Sequence, residues 1–275
     1  MKYAKATLII LLTTATLAAA THEYPAIFAT WYDFNNQDYL SIIDIDTGDI
    51  LDIIELDFRT YGLTWDGEYY WVIKDGSIHR FDRNGDFVSS FPSPAPYPLS
   101  LAFDGDYLWI GCFDTKYTST VYCLNLDGTP GTYSPFSVEG YSGLAICEDD
   151  IFSINVEVYQ YDLVTFGYRY QKDGSFVGSF RFIDDSSGDY FGESLGSNGV
   201  YLYLGYISEE MGEYEYGIAE YDTDGNLVGY GYYPNDALTV IGIPGLSFGY
   251  TYGTNINMES FGRIKAFFGN EDEGE

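Results

Sequence analysis

The chain has 275 residues, 46% of them hydrophobic and 19% aromatic, with 12 basic against 42 acidic side chains and a formal net charge of −30. That much apolar surface sets aside intrinsic disorder, because the chain can bury a large core. The charge sets aside nucleic acid and anionic membrane as partners, since holding phosphate requires a cationic surface.

Residues 1–20 read as a cleaved secretory signal. Lys2 and Lys5 precede an apolar run from Ala6 to Leu17, and Ala18 to Ala20 ends it with the small residues that signal peptidase accepts. The run falls short of the roughly 20 residues needed to cross a bilayer, so no membrane insertion is expected. The mature chain then starts at Thr21 with a net charge of 10 − 42 = −32, as a secreted or periplasmic protein.

From Ile27 to Leu56 three strands are expected, "IFATWY", "YLSIIDID" and "DILDIIEL". A repeat follows. "GLTWDGEYYWV" (Gly62 to Val72) returns as "SLAFDGDYLWI" (Ser100 to Ile110), and Leu63, Leu101, Leu144, Leu195 and Leu246 each follow Gly or Ser at the head of an apolar segment. Second strands come next ("YYWVI", "YLWIG", "DIFSI", "VYLYLGYI", "YTYGTNI"), then third and fourth strands such as "SIHRFD" and "DFVSSF". Asp66-Gly67 and Asp104-Gly105 lie between first and second strands. Asn84-Gly85, Asp127-Gly128, Asp173-Gly174 and Asp224-Gly225 lie between third and fourth, where hairpins need positive φ.

Four short antiparallel strands in every 40 residues or so is the pattern of a propeller blade. Four full repeats and a partial one at each end predict an all-β, six-bladed β-propeller over residues 21–268. Five blades is the second choice, with the two partial repeats sharing one blade. Residues 269–275, "GNEDEGE", read as a disordered acidic tail. Transferring the register of the simplest repeat, Trp71 opposite Arg80, puts Trp109 opposite Cys123 and Cys112 opposite Thr120. The two thiols then point to opposite faces of a blade, and no disulfide is expected.

The phrase "GLTWDGEYYWV" followed by "SIHRFDRNGDFVSSFPSP" resembles the repeats of bacterial secreted β-propellers of the NHL-like kind. The resemblance covers Gly62 to Tyr233 well and the ends poorly. It implies a fold rather than an activity, because such propellers include binding proteins, scaffolds and enzymes.

In a propeller the fourth-to-first and second-to-third connections share one mouth of the central channel, where ligands usually enter. The connections here, among them 182–194, 206–217 and 233–242, are aromatic and acidic. Tyr61, Tyr97, Glu139, Tyr141 and Tyr190 are the candidate ligand-binding residues, stacking on a sugar or peptide and orienting it through hydroxyls and a carboxylate. Asp184, Asp185, Asp189 and Glu193 are the candidate metal ligands, for Ca²⁺ if a cofactor is bound. The Asp-Gly turns themselves read as structural, and "DTDGN" at Asp222 to Asn226 does not fit a Ca²⁺ loop.

Only two histidines occur, His22 and His79, so a histidine-based lyase or a Ser-His-Asp hydrolase would depend on His79 alone. His79 belongs to a third strand, as a packed or edge residue. The expected function is that of an exported, monomeric module that binds an extracellular sugar, peptide or protein through one mouth. The alternatives are a metal-assisted hydrolase or lyase and a structural cell-surface component.

Overall fold

Asp66-Gly67 and Asp104-Gly105 reverse the chain between an inner strand and the next, with the glycines in the left-handed region at φ 100° and 99°. The structure is a computed structural model, and it describes residues 22–33, 37–45, 50–114, 118–140, 143–159, 162–182, 189–210, 213–230 and 240–253. The expected signal segment and acidic tail lie outside these residues.

The strands, in chain order, are β1 (His22–Asp33), β2 (Asp38–Asp44), β3 (Ile50–Leu56), β4 (Leu63–Trp65), β5 (Tyr70–Lys74), β6 (Ser77–Phe81) and β7 (Phe87–Pro92). There follow β8 (Pro98–Phe103), β9 (Leu108–Phe113), β10 (Thr118–Leu124), β11 (Phe136–Glu139), β12 (Gly143–Cys147), β13 (Asp150–Tyr159), β14 (Asp162–Gln171) and β15 (Phe176–Arg181). The last are β16 (Asp189–Ser197), β17 (Leu202–Glu210), β18 (Glu213–Tyr221), β19 (Leu227–Tyr230) and β20 (Val240–Gly253).

They pair into five four-stranded antiparallel blades: β20-β1-β2-β3, β4 to β7, β8 to β11, β12 to β15 and β16 to β19. The expected count of six is corrected to five. The two partial repeats share blade 1, because the C-terminal β20 pairs with β1 from His22↔Gly253 to Asp33↔Val240 and supplies its innermost strand. A second departure belongs to the same element. "LSFGY" and "YTYG" were expected as separate strands, yet both lie within continuous β20.

The inner strands β20, β4, β8, β12 and β16 stand side by side around the channel. Alternation along each second strand sends side chains to both neighbouring blades. Tyr70 and Val72 join blade 1 residues such as Phe28 and Leu40, while Trp71 and Ile73 join Leu101, Leu108 and Ile110 of blade 3. One apolar cluster fills each junction of the ring, including the closing one, where Ile27, Ala29 and Trp31 meet Tyr203 and Ile218. Burying each large side chain in this way contributes about 1.5–3 kcal/mol.

The Gly or Ser before each inner-strand leucine has a steric cause. A Cβ on Gly62 would come within 3.1 Å of the Leu99 carbonyl oxygen, and one on Gly143 within 2.6 Å of the Leu195 nitrogen. The inner strands therefore approach one another along a file of small residues.

The repeated phrase is a building unit. Asp66 Oδ1 accepts hydrogen bonds from the backbone N–H groups of Glu68 (2.8 Å) and Tyr69 (2.7 Å), and Oδ2 accepts the Trp71 indole N–H at 2.7 Å. Asp104 does the same for Asp106, Tyr107 and Trp109, at 3.0, 2.8 and 2.9 Å. Blade 5 keeps the arrangement with altered chemistry: Asn198 accepts from Val200 and Tyr201 and donates to the Tyr203 hydroxyl at 2.9 Å. The carboxylate thus shapes the turn and fixes the large aromatic that packs the next blade.

The hairpins between third and fourth strands make a second set of junctions at the circumference. A Cβ on Gly85 would lie 2.8 Å from Ile54, on Gly128 2.7 Å from Phe91, and on Gly174 2.7 Å from Phe136, while one on Gly225 would overlap Phe180. Each hairpin glycine rests on the outermost strand of the preceding blade. Glycine is needed there twice over, for a φ between 84° and 88° and for the close approach.

Cys112 pairs with Thr120 and Cys123 with Trp109, as the transferred register requires. Cys112 faces the blade 2 junction and Cys123 the blade 4 junction; both are free, as is Cys147. Their exposures are 2%, 3% and 0%, and burial pushes all three thiols above the ordinary value. Ellman's reagent at pH 8 is therefore expected to modify the native thiols at least about a hundredfold more slowly than a free cysteine. All three should react at once in denaturant, and rapid labelling of Cys112 in the native protein would show the register to be wrong.

Candidate functional site

The connections between blades place three of the expected ligand-binding residues at one mouth of the channel. Tyr61 lies between β3 and β4, Tyr97 between β7 and β8, and Glu139 ends β11. All three are exposed, the tyrosines to 48% and 68%.

Tyr97 stands between Pro96 and Pro98 with φ 56°, a backbone conformation that side-chain-bearing residues rarely adopt and that costs on the order of 1–3 kcal/mol. The surrounding loop holds it there. The Phe113 N–H donates to the Tyr97 carbonyl at 2.9 Å, and the Ser93 hydroxyl donates to the Ala95 carbonyl at 2.7 Å. With prolines at 92, 94, 96 and 98, this connection has little conformational freedom to lose when a ligand arrives. Tyr61 is anchored beside it: its N–H donates to the Ile73 carbonyl at 3.3 Å, and the next residue, Gly62, abuts Leu99 and Ser100. Glu139 is fixed through its backbone, whose N–H donates to the Tyr170 hydroxyl at 2.8 Å and whose carbonyl accepts from Ser153 at 2.6 Å.

The rim is uneven. Blade 2 turns back at once, pairing Lys74 with Ser77 around Asp75-Gly76. In blade 4, β12 begins at Gly143 opposite Ile154, yet β13 and β14 continue to Tyr159↔Asp162. Asn155 to Tyr159 therefore overhang the inner strand by roughly 17 Å at the usual rise of about 3.4 Å per residue. Blade 5 rises likewise, to Glu210↔Glu213, with β16 following it up to Asp189↔Glu209. Parts of 182–194, 206–217 and 233–242 that were expected as loops are thus strand. The mouth is low over blades 2 and 3 and walled on the side of blades 4 and 5.

The remaining expected residues fall as follows. Tyr141, Asp184 and Asp185 lie outside the described residues. Asp189 and Tyr190 are on β16, opposite Glu209 and Ser208, and Glu193 is half-buried at the β16 bulge. Among the described residues no group of three His, Cys, Asp or Glu side chains is placed to hold a metal. The "DTDGN" turn is occupied internally: Asp222 accepts from the Asp224 and Asn226 N–H groups and from the Asn226 amide.

His79 is half-buried on β6, with its ring against Phe81 and Phe87. Burial lowers its pKa, and the Lys74 charge lowers it further. At the far end of the channel, Leu101, Ala102, Leu144, Ala145 and Ile146 line a cavity of about 40 Å³, room for a few waters at most.

One feature was readable in the sequence and missed. No Lys or Arg occurs from Ala6 to Phe58 or from Phe182 to Gly262. Blades 1 and 5, neighbours across the closing junction, therefore carry acidic side chains with no Lys or Arg among them.

The chain matches no family model and no curated protein. Among solved structures it is similar to a protein of unknown function from Bacteroides caccae, at 12% identity and a TM-score of 0.39, over 82% of this chain and 98% of that one.

Proposed function

We propose that this propeller is an exported binding module of the NHL-like kind, working as a monomer through the mouth that carries Tyr61 and Tyr97. The observation that supports this is the pair of exposed tyrosines on braced connections of adjacent blades, one of them kept in a strained backbone conformation. Strain of this sort persists where a site needs a preset shape. Aromatic faces fixed in advance bind with little ordering cost, and each contributes about 0.5–1.5 kcal/mol beyond area burial when it stacks. The ligand is an extracellular sugar, peptide or protein segment that lies across the low rim with Glu139 within reach.

A Tyr61→Ala/Tyr97→Ala protein is expected to keep its melting temperature within about 2 °C and to lose binding about tenfold or more. An array of oligosaccharides and peptides probed with both proteins checks this. Ligands retained equally by the two would place recognition elsewhere on the ring.

A further inference from the structure

The acidic sector and the raised wall meet at blade 5. Blades 5 and 1 lack Lys and Arg, and blade 5 also climbs above the inner ring, to Glu210↔Glu213. Their field of a single sign decays over about 8 Å at physiological salt, so it acts on groups that lie close against these blades. Near the top of blade 5 the register sets Glu210 opposite Glu213 and Asp189 opposite Glu209.

A second observation lies on the inner edge of the same blade. The Ser194 hydroxyl is buried, with 3% exposure for the residue, and has no hydrogen-bond partner. Leu195 beside it packs into the blade 4–blade 5 cluster, so strand alternation turns Ser194 the other way, toward blade 1. The low rim also shows how it holds a cation. Lys74 lies over the Phe58 ring at 4.1 Å from its centroid, with Asp57 at 4.0 Å. Tyr61 and Tyr97 offer the same kind of ring to a visitor.

We propose that the occupant of this mouth is a basic, extended peptide segment, with Lys or Arg side chains lying over Tyr61 and Tyr97 while the acid-rich wall of blade 5 stands beside its remaining charges. This rests on the reading that the mouth is a binding site and adds the chemistry of the ligand. Cation–π contact supplies affinity at the tyrosines, and the single-signed wall supplies orientation and a fast association rate.

Titration calorimetry with a capped (Lys-Gly)₄ peptide tests it, beside (Ser-Gly)₄, (Glu-Gly)₄ and a neutral oligosaccharide, at about 0.15 M salt. Four proteins are compared: the unaltered chain, Tyr97→Leu, Glu210→Gln/Glu213→Gln, and the control Asp86→Asn/Asp106→Asn on the hairpin side, which removes the same number of charges. Tyr61→Leu stands in if Tyr97→Leu melts differently. The expected result is saturable binding of the lysine peptide alone, weakened roughly tenfold by Tyr97→Leu, which leaves the net charge unchanged, and by the glutamine variant, and less than about twofold by the control. Equal weakening by the control and the glutamine variant, with none from Tyr97→Leu, would mean diffuse attraction and overturn the inference. Tyrosine-dependent binding of the neutral peptide or sugar in place of the lysine peptide would overturn the basic ligand and leave the mouth standing. If nothing binds in a tyrosine-dependent way, both fall.

Discussion

Asp104→Ala is expected to be among the most destabilising single substitutions in the chain, by about 3–5 kcal/mol, or roughly 10 °C in melting temperature. The carboxylate is 3% exposed and receives four donors: two backbone N–H groups, the Trp109 indole and Lys172 of the next blade at 2.9 Å. Removing it leaves a Lys172 ammonium, itself only 18% exposed, with Asp149 at 3.6 Å as its remaining carboxylate. Asp66→Ala removes the same turn and indole bonds in blade 2 with no ion pair across the junction, and should cost about 1–3 kcal/mol.

Burial alone would raise the Asp104 pKa, but hydrogen bonds from Tyr107, Lys172, Trp109 and Asp106 outweigh it and hold the group below its ordinary 3.8. The folded state therefore binds this proton less readily than the unfolded state does. The stabilisation is complete above the ordinary value and is lost as the pH falls through the lower folded value. Lys172 is opposite in sign. Burial lowers its pKa, the hydrogen bond and charge of Asp104 more than compensate, and its contribution is lost only as the pH rises past the ordinary 10.5. Denaturant melts at several pH values check both parts. A loss under 1 kcal/mol for Asp104→Ala, or an acid limb unchanged in Asp104→Asn, would contradict the assignment.

A chain ending at Thr239 is expected not to fold cooperatively at all. It lacks β20, so blade 1 loses its inner strand, β1 keeps an unpaired edge, and β4 and β16 lose their neighbour in the ring. A domain holds only about 5–15 kcal/mol of net stability, less than a whole strand with its junction contributes. Loss of the near-ultraviolet circular dichroism of the packed tyrosines and tryptophans reports this. A synthetic peptide of residues 240–253 added in excess should restore part of the signal by joining β1 as a missing strand. A truncated chain that melts with unchanged cooperativity would refute the closure.

The residues that made the fold legible were those with one steric or hydrogen-bonding solution. Gly-Leu and Ser-Leu marked inner strands because nothing larger fits between neighbours, Asp-Gly marked turns because positive φ is needed, and Trp71 opposite Arg80 transferred correctly to Cys123. What stayed hidden was long-range. That β20 pairs with β1 across some 220 residues leaves no local trace, so two half-blades were counted as two blades. The stretch Asp189–Ser194 looked like loop because its strand is made by pairing with β17, not by propensity. At the mouth, the placement of Tyr61, Tyr97 and Glu139 on blade connections was readable from the repeat, whereas the height of the wall depends on strand lengths that only pairing determines.

The hairpin glycines at the circumference also bear on how such a ring is assembled. Each repeat carries the glycine for the contact behind it and the apolar side chain for the contact ahead, Gly128 and Phe136 in blade 3, Gly174 and Phe180 in blade 4. The unit is self-complementary head to tail, and its junction is heterologous. A copied repeat therefore brings both halves of its junctions with it and can be inserted without a new interface being invented. The number of copies that closes the circle is then set by the rotation at each junction, a quantity that resides between repeats and in none of them.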